Sequence, residues 1–225
     1  MKIITAENLS KSYGKIKAVD SLSFSVEKGE LFGFLGVNGA GKSTVINMLS
    51  TLMKPSSGTA EICGYRLGRN DNEIRSRIGI VYQHNCLDGI LTAEENLIFK
   101  GLLYGMNRSG VKKQLDKVCS ILELADIREK RYSTLSGGQK RRCEIAAALM
   151  HTPEILFLDE PTTGLDPAAR KSVWKTVEEL RRKMGMTVFL TTHYMEEAAS
   201  ANRIVIIDSG KICAEGTPFE LKEKY

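Results

Sequence analysis

The run Gly36-Val37-Asn38-Gly39-Ala40-Gly41-Lys42-Ser43 constrains this chain more than any other stretch. It fits G-x-x-x-x-G-K-[ST], a loop whose small residues let backbone N–H groups converge on an anion. Leu31–Leu35 before it reads as a buried strand. Ser43–Leu52 after it reads as a helix with apolar Val45, Ile46, Met48, Leu49 and Leu52. Strand, loop and helix in that order aim a helix N-terminus at the loop's ligand. In this reading Lys42 reaches the β- and γ-phosphates of a nucleoside triphosphate, and Ser43 holds Mg²⁺. Gly36, Asn38, Gly39, Ala40, Gly41 and Thr44 complete the nucleotide cradle. A glycine turn with no ligand is the plain alternative. A dinucleotide fold is a poorer one, because Gly39–Thr44 lacks the third glycine of G-x-G-x-x-G.

Composition sets the class. A chain of 225 residues, 42% hydrophobic and 26% charged, has room for a globular core. No apolar run approaches the ~20 residues that cross a bilayer. Thr5, Glu7 and Asn8 interrupt any signal-peptide core, so the expectation is a protein that stays in the compartment where it is made. The five cysteines, Cys63, Cys86, Cys119, Cys143 and Cys213, are scattered. They read as reduced, mostly core thiols of a cytosolic protein. His84 and Cys86 form the sole close pair of soft ligands, and with no second pair a zinc site is not expected. The net charge of +5 suits an anionic ligand, an acidic lipid surface or a solvated face without a partner.

Strands and helices alternate along the chain. Ile3–Leu9 and Leu22–Val26 read as half-buried strands, the second with one wet face. A turn at 55–58, a short strand over 59–65 and a buried strand at Ile78–Tyr82 follow. Thr92-Ala-Glu-Glu95 is a capping box opening a helix to Tyr104. Val111, Leu115, Val118 and Leu122 recur at helical spacing. Gly137-Gly138 precedes an amphipathic segment to Met150. Ile155–Leu158, Thr187–Thr191 and Arg203–Asp208 are apolar runs suited to a parallel sheet buried on both faces. Asp166 caps a helix with Pro167 at its first position. A short hairpin and helix, punctuated by Gly210 and Gly216, close the chain.

Two further motifs bear on chemistry. Ile155–Leu158 runs into Asp159-Glu160, and acids at a strand's C-terminal end face the ligand crevice of an α/β sheet. Asp159 fits a Mg²⁺ holder. Glu160, one residue on, fits a carboxylate that polarises attacking water. Leu135-Ser136-Gly137-Gly138-Gln139 precedes a helix that Ser136 can cap, and its glycines allow an anion to approach the N-terminus.

That pentapeptide is the signature of the ABC-type ATPases, and the chain resembles this family from Ile3 to about Leu221. The resemblance implies an α/β fold: a P-loop NTPase core with a mainly parallel sheet, an N-terminal antiparallel β subdomain and an inserted α-helical subdomain over roughly 84–150. It implies ATP and Mg²⁺ as cofactors. It also implies that Tyr13 stacks on adenine and that Gln83 contacts Mg²⁺ and the γ-phosphate. By the same resemblance Thr163–Asp166 crosses to a partner subunit and His193 contacts the γ-phosphate. Leu135–Gln139 then acts in trans on a neighbour's nucleotide. The run Gly36–Thr44, with Glu160–Pro167 and Thr192–Glu197, resembles most the exporter branch of daunorubicin-type, bacitracin-resistance, sodium-efflux and lipid-exporting ATPases. Val37 stands where most relatives carry proline, and several relatives continue past the equivalent of Tyr225. The expected partners are a second nucleotide-binding subunit and a transmembrane permease, with no nucleic acid. The expected location is cytoplasmic, peripheral on the inner face of the membrane. An importer subunit and a soluble ATPase of iron–sulfur cofactor assembly are the alternatives. The apolar Leu87, Ile90 and Leu91, with the helix from Thr92 to Tyr104, form the expected docking surface for the permease. Filling of the helical core is the competing reading of the three.

Overall fold

The computed structural model describes residues 1–224. Two long strands, β1 (Lys2–Tyr13) and β2 (Ile16–Glu27), form an antiparallel hairpin that turns at Gly14. With β4 (Ser57–Ile62) and β5 (Tyr65–Arg66) they make a four-stranded sheet in the order β2-β1-β4-β5. β2 alternates as its sequence indicates: Leu22, Phe24 and Val26 are buried, whereas Ser23 is exposed. Both hairpin strands run past their apolar stretches, because cross-strand pairing extends as far as Tyr13 opposite Ile16.

The second sheet has the order β10-β9-β3-β8-β7-β6. Its strands are β3 (Leu31–Leu35), β6 (Ile78–Val81), β7 (Ile155–Asp159), β8 (Thr187–Thr192), β9 (Arg203–Asp208) and β10 (Lys211–Gly216). All neighbours pair in parallel except the β9–β10 hairpin. The central strands β3, β7 and β8 are buried along their whole length, which explains their continuous apolar sequence. Alternate residues feed two cores. Leu31 and Leu35 join a core shared with the helices; Phe32 and Phe34 join a second core against the antiparallel sheet. Phe24, Phe32, Phe34 and Phe189 cluster there with ring centroids 5.3–6.5 Å apart. Such rings bury large area between the two sheets.

Seven α-helices complete the described fold: α1 (Lys42–Leu49), α2 (Asp71–Arg77), α3 (Ala93–Leu103), α4 (Arg108–Ile121), α5 (Gly137–Ala148), α6 (Pro167–Met184) and α7 (Pro218–Lys224). The Thr92 cap is present. Its hydroxyl accepts from the Glu95 amide and the Glu95 carboxylate accepts from the Thr92 amide. Asp166 caps α6 through the Ala169 amide, and Gly185 ends that helix in the left-handed region. Some expectations need correcting. α1 stops at Leu49, and Leu52 is 61% exposed beyond it. α2 carries a single buried apolar residue, Ile74, so it left no periodic trace in the sequence. The segment after Gly137-Gly138 is not amphipathic. Arg141 and Glu144 are buried along with Cys143 and Ile145–Ala148, because α5 packs among other elements instead of lying at the surface. Of the cysteines, Cys119 and Cys143 are buried, while Cys86 and Cys213 are exposed. Burial pushes the Cys143 thiol up to about 12, which keeps it protonated and unreactive.

Candidate nucleotide site

The parallel strands all end on one edge, and the loops leaving that edge converge. β3 runs into Gly36–Gly41, β7 into Glu160, β8 into His193 and β6 into Gln83. This is where an open α/β sheet presents its ligand crevice, on either side of the strand at which the order reverses. A cavity of about 340 Å³ lies there, lined by Ala18, Asn38, Gly39, Gly41, Lys42, Ser43, Thr44, Gln83 and Glu160.

The loop's shape needs its glycines. A Cβ on Gly36 would lie 2.5 Å from the Ile207 carbonyl oxygen. Gly41 has φ +108, and a Cβ there would lie 2.5 Å from the Ala18 carbonyl oxygen. Neither position has room for a side chain, so the backbone closes tightly before α1 begins. Val37 exposes its side chain and contributes its carbonyl instead.

Lys42 is 4% exposed at the floor of this cradle. Its Nζ donates to the carbonyls of Gly36 at 2.7 Å and Val37 at 3.1 Å, and lies 3.1 Å from Glu160 Oε1. The other Glu160 oxygen accepts from Thr163 Oγ1 at 3.1 Å and lies 3.3 Å from His193 Nδ1. The His193 contact lacks hydrogen-bond alignment, so that buried nitrogen has no partner among the described residues. Glu160 holds φ +45, a left-handed conformation that costs a non-glycine residue of order 1–3 kcal/mol. The surrounding bonds maintain it: the Glu160 amide donates to both the carbonyl and the hydroxyl of Thr191 at 3.1 Å.

Asp159 lies beside it, 6% exposed. Its Oδ1 accepts from Thr191 Oγ1 at 2.6 Å and from Ser43 Oγ at 3.2 Å. A hydroxyl and a carboxylate this close, beside the cavity, form a hard oxygen donor set of the type Mg²⁺ takes. The residues therefore fit that ion.

The structure brings Lys42, Ser43, Asn38, Gly39, Gly41, Thr44, Gln83 and Glu160 to one cavity, with Asp159 and His193 touching its members. Tyr13 does not line it. Its ring is 46% exposed on the β1–β2 hairpin, and its hydroxyl lies 2.9 Å from Met53 Sδ. The pentapeptide Leu135–Gln139 does not line it either. Ser136 Oγ accepts from the Gln139 amide, and Gln139 Oε1 accepts from the Ser136 amide at 2.9 Å, a closed capping box at the start of α5. Added Cβ atoms at Gly137 and Gly138 would meet Leu165 and Ala169, so both glycines pack against the entrance to α6.

Several residues at the site left no mark in the sequence. Ala18 and Thr191 are ordinary apolar-strand residues until the fold apposes them. Glu197, buried after His193, accepts from the hydroxyls of Thr162 and Thr192 and so joins the loops after β7 and β8. A buried acid in a sequence of surface-looking Glu196-Glu197 gives no signal of its own.

Comparison with known proteins agrees with this geometry. Residues 19–163 match the family model described as ABC transporter. The chain is 46% identical over 220 residues to the linearmycin resistance ATP-binding protein LnrL of Bacillus subtilis (strain 168), covering 97% of this chain and 70% of that protein. It is 42% identical over 219 residues to the Nod factor export ATP-binding protein I of Paraburkholderia xenovorans (strain LB400), covering 97% of this chain and 72% of the relative. Among solved structures, a dimeric post-hydrolysis state of the ATP-binding cassette MJ0796 bound to ADP and Pi superposes with TM-score 0.85 at 28% identity, covering 96% of this chain and 98% of that one. A closed phosphate loop, Asp159 at the end of β7 with Glu160 just past it, and the matched sequence all lead to one assignment: the chain belongs to the ABC transporter family, as an ATP-binding, ATP-hydrolysing member.

Proposed function

We propose that this chain is the ATPase subunit of an exporter, and that it works as a head-to-tail pair beneath a separately encoded membrane permease. The observation that carries the reading is the convergence of Lys42, Ser43, Asp159, Glu160 and Gln83 on one cavity. The relatives' names favour export over import, since they include an antibiotic-resistance and an export protein.

Each side chain has a role in this reading. Lys42 is poised beside the backbone cradle, and phosphate oxygens of the nucleotide replace its present bonds to Gly36, Val37 and Glu160. Release from Lys42 frees Glu160 Oε1 to accept a proton from the attacking water. Thr163 holds its other oxygen. His193 and Gln83 face the γ-phosphate end. Ser43 and Asp159, with Gln83, would hold Mg²⁺, which supplies charge neutralisation on the phosphates. Tyr13, outside the cavity, would stack on the adenine where the base leaves it, and Gly36–Thr44 encloses the phosphates.

The capped N-terminus of α5 carries Ser136–Gln139 away from its own cavity. It then serves the cavity of a second subunit, with Leu135 as its buried anchor. Residues 84–150 form the helical subdomain that presents it. No helix among the described residues is long and apolar enough to cross a membrane. In this reading the chain docks at the inner membrane face through the permease. The proposed docking surface keeps Ile90 and the helix expected from sequence, but not Leu87. Leu87 packs against the helical core, which favours the core reading for it, and Leu91 is half-buried. Ile90 is 79% exposed, and Phe99, Leu102 and Leu103 form an exposed apolar face on α3.

The deciding experiment is steady-state hydrolysis of Mg-ATP by the wild type and by Glu160→Gln. The substitution keeps shape and removes the charge. Turnover should fall by at least ~10²-fold while ATP still binds. Equal turnover in the two proteins would remove Glu160 from the mechanism.

A further inference from the structure

α5 carries two buried charged residues one turn apart, Arg141 at 3% and Glu144 at 6% exposed. At i and i+3 they share a helix face. That face points at the loop leaving β6. Arg141 donates to the Tyr82 carbonyl at 2.6 Å and to the Gln83 carbonyl at 3.1 Å. Glu144 Oε1 accepts from the Cys86 amide at 2.8 Å and the Leu87 amide at 3.1 Å. It also accepts from the Tyr132 hydroxyl at 2.7 Å. Five hydrogen bonds, each with one ionised partner, thus hold residues 82–87 and Tyr132 to a single helix. Such bonds are about twice as strong as neutral ones, and the guanidinium fork fixes direction as well as distance.

The same loop is tied from its far end. The Tyr132 amide donates to the Leu91 carbonyl and the Ser133 amide to the Gly89 carbonyl. The residues that lead into Ser136 are therefore bonded to the loop that begins at Gln83. Burial depresses the Arg141 guanidinium below its ordinary value, and its Nε is buried with no partner among the described residues. An apolar side chain there avoids both costs, so packing alone does not account for an arginine.

We propose that Arg141 and Glu144 are positioning residues for Gln83: they lock the backbone of residues 82–87 to α5. Gln83 then takes its place in the nucleotide cavity only when that helix, with Ser136–Gln139 at its N-terminus, is seated. The inference rests on the ATPase reading above. It adds a direct linkage within one subunit between the side chain that monitors its own nucleotide and the helix end that serves the neighbour's.

Two measurements test it. The first needs no nucleotide: amide hydrogen exchange of the apo chain. Glu144→Met, which removes the acceptor of the Cys86 and Leu87 amides, should speed their exchange most; Arg141→Met, which frees the Tyr82 and Gln83 carbonyls, should speed exchange at residues 83–87 to a lesser degree, while amides inside α5 keep their protection. Arg141→Lys should fall between, since an ammonium engages one carbonyl at a time. Glu144→Gln retains an acceptor oxygen and should preserve more protection than Glu144→Met. If Arg141→Met does not fold, the Lys and Gln variants give the same ordering. The second measurement is kinetic. A misplaced Gln83 should lower kcat about ten- to hundredfold and leave KM for ATP within about threefold. In a Gln83→Ala background Arg141→Met should add nothing to kcat, because both remove the same placement. Wild-type exchange at 83–87 in folded Arg141→Met overturns the proposal. So does a kcat loss that adds in full to that of Gln83→Ala. Absence of ATP turnover by the wild type would instead strike the ATPase reading, and the exchange result would still judge the lock.

Discussion

At the scale of single residues, the site rests on one strained position and a buried lysine. Glu160 adopts a left-handed backbone, and its carboxylate is shared among Lys42, Thr163 and His193. Lys42 in turn satisfies two loop carbonyls. With its ammonium almost fully buried, no solvent competes with an incoming phosphate for it except these fixed partners. Lys42→Ala removes the charge-assisted contact and leaves the Gly36 and Val37 carbonyls without their donor. Binding at micromolar ATP is expected to vanish, as measured by equilibrium dialysis. An unchanged dissociation constant would place the triphosphate elsewhere.

At the scale of elements, α3 and α5 divide the work of the helical region. α5 buries Arg141, Cys143 and Glu144–Ala148 and locks the Gln83 loop. α3 buries Ala93, Asn96, Leu97 and Gly101 and turns Phe99, Leu102 and Leu103 outward. Such an apolar face is unusual for a free surface, because large exposed patches mark interaction sites. Asn96 fixes the approach between them. Its side-chain amide donates to the Asp88 and Thr92 carbonyls while its oxygen accepts from the Asp88 amide. Phe99→Asp is expected to leave the melting transition and basal ATP hydrolysis near wild type, since the side chain contributes little to the core. Co-purification with the permease should be lost. A collapsed melting transition would assign Phe99 to the core instead.

At the scale of the whole molecule, one chain carries a complete phosphate loop and a second capped helix end that does not reach it. Two copies arranged head to tail satisfy both. Glu160→Gln with ATP should therefore accumulate as a dimer, because the nucleotide that closes the pair is no longer consumed. Sedimentation velocity at high protein concentration reads this directly. A monomer under those conditions would leave Ser136–Gln139 without the role proposed for it. The parallel strands send the loops after β3, β6, β7 and β8 to one edge of their sheet, where the cavity lies.

The sequence alone determined the phosphate loop, the strand that ends in Asp159-Glu160, the caps at Thr92, Ser136 and Asp166 and the alternation that makes an α/β sheet. These features are local: a tight turn, a cap and a buried strand each leave their chemistry within a few adjacent residues. Strand order, the placement of Thr191 against Asp159 and the buried roles of Arg141, Glu144 and Glu197 were decided by tertiary structure. Each of these joins residues far apart in the chain, 32 positions for Thr191 and Asp159 and 59 for Arg141 and Tyr82. An arginine or glutamate in a helix looks solvated when read locally. Only the packing of α5 among its neighbours removes the water from around these charges and leaves the loop backbone as their partner.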